Sequence, residues 1–182
     1  REGHWEEGPG LPFLQAVKAA LPNTKLIAED LGFLTPDVHK LLADSGLPGM
    51  KVLEFAFDAD SNNEYLPHTY RTNTVCYTGT HDNPTTTGWQ TISPAESVAY
   101  AMDYFNVNFS GKLTSAFVRS ALASVCDTAI IPMQDYLRQD NRSRINTPST
   151  IGDNWIYRIK RENLGDNLTE KIFRLTKLYN RI

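Results

Sequence analysis

Short apolar runs that stop abruptly at polar or acidic residues recur along this chain, each followed by a stretch with helical spacing. That alternation constrains the fold more than any other feature. The first run is Leu26-Ile27-Ala28, within Lys25 to Ala28, and Glu29-Asp30 and then Gly32 break it. Thr35-Pro36-Asp37 next supplies a capping residue with proline at the first helical position, and Val38, Leu41 and Leu42 form a helix face that Gly46 ends. A second run, Lys51 to Phe57, places Val52, Leu53, Phe55 and Phe57 in a β-favouring segment that ends at Asp58, before an Asn-rich loop at Ser61 to Asn63. The third, Thr74 to Thr78, empties into Gly79-Thr80-His81-Asp82-Asn83-Pro84, which continues neither regular structure. Ala129 to Met133 is the fourth. Helical spacing also covers Phe13 to Leu21, Leu113 to Cys126 and Asn167 to Tyr179. The Ser93-Pro94-Ala95-Glu96 capping pattern predicts a helix running through Tyr100 toward Tyr104.

Strands separated by helix-length segments pair in parallel, because a parallel neighbour needs a crossover of about a dozen residues or more. The expected fold class is therefore α/β. Four such units make half of a (β/α)8 barrel, here spanning residues 1–182. In that architecture chemistry gathers at the C-terminal ends of the strands, where this reading places Glu29, Asp58 and Asp82. The chain opens with Arg1 and reaches a Gly8-Pro9-Gly10 turn before any periodic segment, so it reads as a piece of something longer.

Charge narrows the partners. Lys and Arg number 18 against 21 Asp and Glu, a formal net charge of -3, which offers no broad positive field to a nucleic acid. No run approaches the roughly 18 apolar residues of a membrane span, and the first residues lack the layout of a signal peptide, so a cytoplasmic protein is expected. Cys76 and Cys126, far apart and inside apolar runs, suit reduced core thiols. His4, His39, His68 and His81 show no ligand spacing, and phosphate-loop, dinucleotide and nucleophile-elbow motifs are missing. Neither a metal nor an organic cofactor is expected.

A carboxylate at the mouth of a buried strand is partly desolvated, which suits Glu29 to general-acid work; the same placement serves a loop-bracing acid. Gly79 to Asn83 presents an imidazole, a carboxylate and an amide together. These groups match sugar hydroxyls and equally make an Asp-Asn turn before Pro84. Two carboxylates at neighbouring strand ends suggest a glycosidase pair.

Four segments taken together are more specific: IAEDLG at 27–32, LPGMKVLEFAF at 47–57, TGTHDNPTTTGW at 78–89 and IPMQDYL at 131–137. In order and spacing they resemble the amylomaltases or disproportionating enzymes, the 4-α-glucanotransferases, from about Gly8 to the end. The resemblance implies a retaining double displacement on α-1,4-glucan or maltooligosaccharide substrates, with Glu29 as general acid/base and Asp82 as the carboxylate that stabilises the oxocarbenium-like transition state. It further implies His81 and Asn83 as sugar-binding neighbours of Asp82 and Asp30 as an acceptor beside Glu29. Phe55 and Asp58 would line the glucose site, and Asn146, in Arg144-Ile145-Asn146-Thr147-Pro148, would lie near the acceptor side.

The chain departs from the family pattern at several positions. Ile145 stands for a usual Met, Ser149 for a Gly, Glu7 for a Lys and Glu54 for a Gln. The family's nucleophile, an Asp in an Arg-x-Asp-His motif, has no match, so the piece alone is expected to be inactive. Two other functions fit the same residues: a non-catalytic carbohydrate-binding half-barrel and an amylase-like hydrolase. Oligomeric state is not legible.

Overall fold

A computed structural model describes residues 3–4, 6–32, 34–58 and 63–182. Ser61 and Asn62, in the expected Asn-rich loop, lie outside the described residues. The chain divides into two compact units, Arg1–Met50 and Lys51–Ile182.

The first unit is helical. Helix α1 (Gly10–Ala20) and helix α2 (Pro36–Ser45) pack together, and the Lys18 ammonium donates to the Ser45 carbonyl at the end of α2. Proline in the first turn of α2 gives up no hydrogen bond there, and Gly46, at φ +62°, ends the helix in the left-handed conformation. Neither helix buries an apolar residue. The strand expected over Lys25 to Ala28 does not form: this stretch has no regular structure. A buried parallel strand needs hydrogen-bonded neighbours, whereas the Ala28 N–H bonds the Pro48 carbonyl at 2.9 Å and Ile27 is 48% exposed.

The division between the units falls within strand β1 (Gly49–Val52). Among the described residues the sheet has three strands, ordered β1, β2 (Thr74–Tyr77), β3 (Thr128–Ile130), rather than the four expected. Strands β2 and β3 are parallel, with Val75 opposite Thr128, Cys76 opposite Ala129 and Tyr77 opposite Ile130. The expected strand over Lys51 to Phe57 stops at Val52, and Leu53–Phe55 forms a 3-10 turn. Burial explains this: Val52, Leu53 and Glu54 are buried in succession, Phe55 is exposed, and Ala56 and Phe57 are buried again, a pattern without the period of two that a strand imposes. Likewise the fourth run leaves the sheet after Ile130, and Met133–Tyr136 becomes the short helix α6.

Helix α3 (Thr86–Ile92) was not foreseen, and it changes the meaning of the Ser93-Pro94 signal. Ser93 closes α3, so helix α4 (Ala95–Tyr104) begins after Pro94 with no side-chain cap. Helix α5 (Leu113–Ala123) and helix α7 (Asp166–Leu178) fall close to their expected positions.

The core of the second unit gathers around Phe57, 1% exposed, whose ring meets those of Trp89, Tyr100, Tyr104, Phe105 and Phe117 at centroid distances from 5.3 to 6.1 Å. Cys76 and Cys126 are buried free thiols, and the fold brings them together. The Cys76 hydrogen bond pulls Cys126 down to about 6, while the same pairing and burial push Cys76 up. Among the described residues no helix is long and apolar enough to cross a membrane.

Candidate active site

The loop from Gly79 to Thr85 joins β2 to α3, and a hydrogen-bond net holds it from both ends. Asp135, on α6 and 2% exposed, accepts from the Thr78 hydroxyl at 2.5 Å and from the Thr86 N–H at 2.9 Å, tying the residue that enters the loop to the one that leaves it. Within the loop the Asn83 carboxamide oxygen accepts from the Thr80 N–H and the Thr80 hydroxyl, each at 2.8 Å. Asn83 is thus turned into the loop as its brace, an Asx-type closure. His81 and Asp82 at the tip are exposed.

A second segment grips that tip. The Asn146 amide nitrogen donates to Asp82 Oδ1 at 2.6 Å, and the Arg144 guanidinium donates to the Asp82 carbonyl at 2.6 Å and to the Asn146 carbonyl at 2.8 Å. The Asn146 N–H donates to the His81 carbonyl at 3.1 Å. Trp155, whose N–H bonds the Ile145 carbonyl at 2.7 Å, lays its ring against the His81 ring with centroids 5.1 Å apart. Asp82 Oδ1 is also 3.3 Å from His81 Nε2. One carboxylate oxygen of Asp82 therefore faces two nitrogens, which restricts its rotamer while the side chain stays open to solvent. Ser149, where the family pattern has Gly, holds φ +61°, so this loop keeps a glycine-like backbone with a serine in place.

The remaining expected residues divide. Phe55, 37% exposed, lies in the 3-10 turn, edge-on to Tyr65 with centroids 5.4 Å apart. Asp58 is exposed and accepts from the Asn63 amide at 2.6 Å. Both border a cavity of about 600 Å³ together with Glu54, Tyr65 and Trp89. Neither stands at a strand end, because β1 has already finished.

In the first unit the expectation for the acidic pair reverses in burial. Glu29 is exposed, not partly desolvated, while Asp30 is 6% exposed. Asp30 Oδ1 accepts from the Met50 N–H at 2.5 Å, and a Cβ on Gly49 would come within 2.6 Å of Asp30 Oδ2, so only glycine leaves room for this brace. Asp30 is committed to backbone, and Glu29 is exposed at the surface. Among the described residues no group of three or more His, Cys, Asp or Glu is arranged to hold a metal ion.

Three contributors were missed at the level of sequence. Arg144 and Trp155 give no local signal for the Asp82 loop, because the Asp82 carbonyl is 62 residues from Arg144 and Trp155 meets His81 from another loop. Asp135 sat inside a quoted motif, and an acid within an apolar stretch was the available clue.

Comparison with known proteins gives the family. The family model described as 4-alpha-glucanotransferase matches residues 1–164. A 4-alpha-glucanotransferase of Clostridium butyricum is 40% identical over 182 residues, covering 100% of this chain and 37% of that protein. The chloroplastic/amyloplastic 4-alpha-glucanotransferase DPE1 of Arabidopsis thaliana is 39% identical over 99% of this chain and 32% of its own length. Among solved structures, the amylomaltase from Streptococcus agalactiae in complex with acarbose superposes with a TM-score of 0.90 at 37% identity, covering 98% of this chain and 36% of that one. The chain thus spans about a third of the length of these relatives. Matched along nine-tenths of its length by the family model, this chain belongs to the 4-alpha-glucanotransferase family.

Proposed function

We propose that the full-length protein carrying this chain transfers α-1,4-glucan segments between maltooligosaccharide chains by a retaining double displacement. The observation that carries the reading is the Asp82 cradle, in a chain that belongs to this family. A carboxylate locked by Asn146 and His81, yet open to solvent, suits binding of sugar hydroxyls and stabilisation of an oxocarbenium-like transition state. Glu29, free of structural partners in the hydrogen bonds of the described residues, is assigned as general acid/base. His81, and the amide nitrogen of Asn83 left over from the loop brace, are assigned to hydroxyls; Phe55 and Asp58 to the wall of a glucose site. Asp30 and Asn146 become positioning residues rather than direct ligands.

The strands β1 to β3 with their helices are assigned to the C-terminal half of a (β/α)8 barrel, residues 1–182, and the nucleophile to a part of the protein outside this chain. An acarbose-bound relative supports an α-glucan-like ligand, and composition supports a cytoplasmic setting. Incubating the full-length protein with maltotriose tests the reading. Transfer yields glucose together with maltodextrins longer than the substrate; shorter products alone would indicate the amylase-like hydrolase, and no turnover the carbohydrate-binding half-barrel.

A further inference from the structure

Behind the Gly79–Thr85 loop lie two buried carboxyl groups that the proposed chemistry leaves unused. Asp135 ties the loop's ends through Thr78 and Thr86. Glu54 is 6% exposed, and its N–H donates to the Thr78 carbonyl at 3.2 Å. A Cβ on Gly79 would meet Glu54 Oε1 at 3.0 Å and Cδ at 3.2 Å, so the carboxyl group rests against the first residue of the loop. Neither Glu54 oxygen has a hydrogen-bond partner among the described residues. Around it stand Asp135 on α6 and Arg144 from the segment that grips Asp82; Asp58 and Glu64 border the same cavity, and the loop itself carries His81 and Asp82.

We propose that Glu54 and Asp135 form a positioning pair for this loop: Asp135 ties its two ends, and Glu54, as an uncharged carboxylic acid, supports Gly79 and so sets where His81 and Asp82 stand. The proposal rests on the reading of this loop as the sugar-facing part of the site. An ionised Glu54 would be a buried charge with no donor, next to a second acid, an arrangement costly enough that the group holds its proton instead. Burial first and the Asp135 charge second push Glu54 well above the usual carboxylate range, with Arg144 pulling back. Burial also raises Asp135, while its hydrogen bonds from Thr78 and Thr86 favour the ionised form. The division of labour follows: the acid with donors takes the charge, and the acid without donors keeps the proton.

The consequence for stability has a definite sign. A carboxyl group that keeps its proton in the fold and loses it on unfolding makes the unfolded state the poorer proton binder above the ordinary glutamate value, so stability falls as pH rises. Glu54→Gln keeps the shape, cannot ionise, and removes that fall. In the full-length protein, wild type loses melting temperature relative to Glu54→Gln between about pH 5 and about pH 8. The infrared difference spectrum of wild type minus Glu54→Gln at neutral pH shows the carbonyl stretch of a protonated acid. Positioning is read separately, from the quenching of Trp155 emission by His81, whose ring centroid lies 5.1 Å from that of Trp155. Asp135→Asn, which cannot accept from both Thr78 and Thr86 with two carboxylate oxygens, changes the quench, as does Thr78→Val, the second variant should Asp135→Asn fail to fold. On maltotriose the same variants lower kcat more than they raise KM. Parallel melting curves and no protonated-acid band would overturn the role of Glu54, and an unchanged quench in both loop variants would overturn that of Asp135. A wild-type protein that leaves maltotriose untouched while passing the infrared and fluorescence tests would overturn the glucan reading alone.

Discussion

Asp82 and Glu29 each follow an apolar run in the sequence, yet their surroundings differ in kind. Asp82 sits on a loop anchored to a strand inside a hydrogen-bonded sheet, with Asp135 tying the loop's ends and Asn146, Arg144 and Trp155 gripping its tip. Glu29 sits on an irregular segment whose order comes from its neighbour, Asp30, bonded to the Met50 N–H. The contrast matches the two assigned roles. A residue that stabilises charge electrostatically must already be aimed when the charge develops, because orienting it during the reaction would cancel the gain. A general acid that becomes a general base gives its proton to the departing sugar and takes one back from the incoming sugar hydroxyl, so it must be reachable by two different sugars, and an exposed carboxylate can be.

The largest expected effect separates the two supports. Phe57→Ala removes the ring that five others pack against and should cost about 3–5 kcal/mol, seen as a lowered denaturant midpoint with loss of the Asp82 loop. Leu14→Ala on α1, which has no fully buried residue, should cost a small fraction of that. Equal losses would erase the contrast.

Next come the carboxylates themselves. In the full-length protein Glu29→Gln should lower maltotriose transfer by roughly 10²- to 10⁴-fold while leaving the melting temperature unchanged, since Glu29 is exposed and has no side-chain hydrogen bond among the described residues. Asp82→Asn should lower transfer by about 10²- to 10³-fold, and here the Asn146 donor meets a neutral amide oxygen in place of a carboxylate, which weakens the contact, so a small stability change accompanies it. A stability loss in the first variant and none in the second would reverse the comparison.

A smaller effect tests the grip. Asn146→Ala frees Asp82 Oδ1 of its 2.6 Å donor. A hydrogen bond to a charged group at a half-open site makes about a tenfold difference in kcat. Smallest is Ser149→Gly, which relieves a left-handed serine and should shift stability by less than about 1 kcal/mol, leaving transfer unchanged.

Local patterns carried part of this architecture. The run at Thr74 to Thr78 became the central strand, Thr74–Tyr77, because a β-favouring segment flanked by turn residues has few other options once it is buried. The run at Lys25 to Ala28 had the same look and stayed irregular, since a strand is a property of a pair and apolar character alone does not supply a partner. Lys51 to Phe57 failed differently: Phe57 had to reach the aromatic core, and a 3-10 turn delivers it there. For the candidate site, His81, Asp82 and Asn83 were visible because they are contiguous. The duties of Asn83 and Asp30 as braces, and of Arg144, Trp155, Asp135 and Glu54 as supports, depend on contacts across the fold that no local spacing encodes.

The central claim is that Asp82 is held ready to stabilise charge and does not itself attack the sugar. Trapping the full-length protein with a slow fluorinated maltosyl donor and mapping the labelled peptide by mass spectrometry tests this most directly. The account predicts a glycosyl label on an Asp outside residues 1–182, with the peptides bearing Glu29 and Asp82 unmodified; a glycosyl group on Asp82 would contradict it.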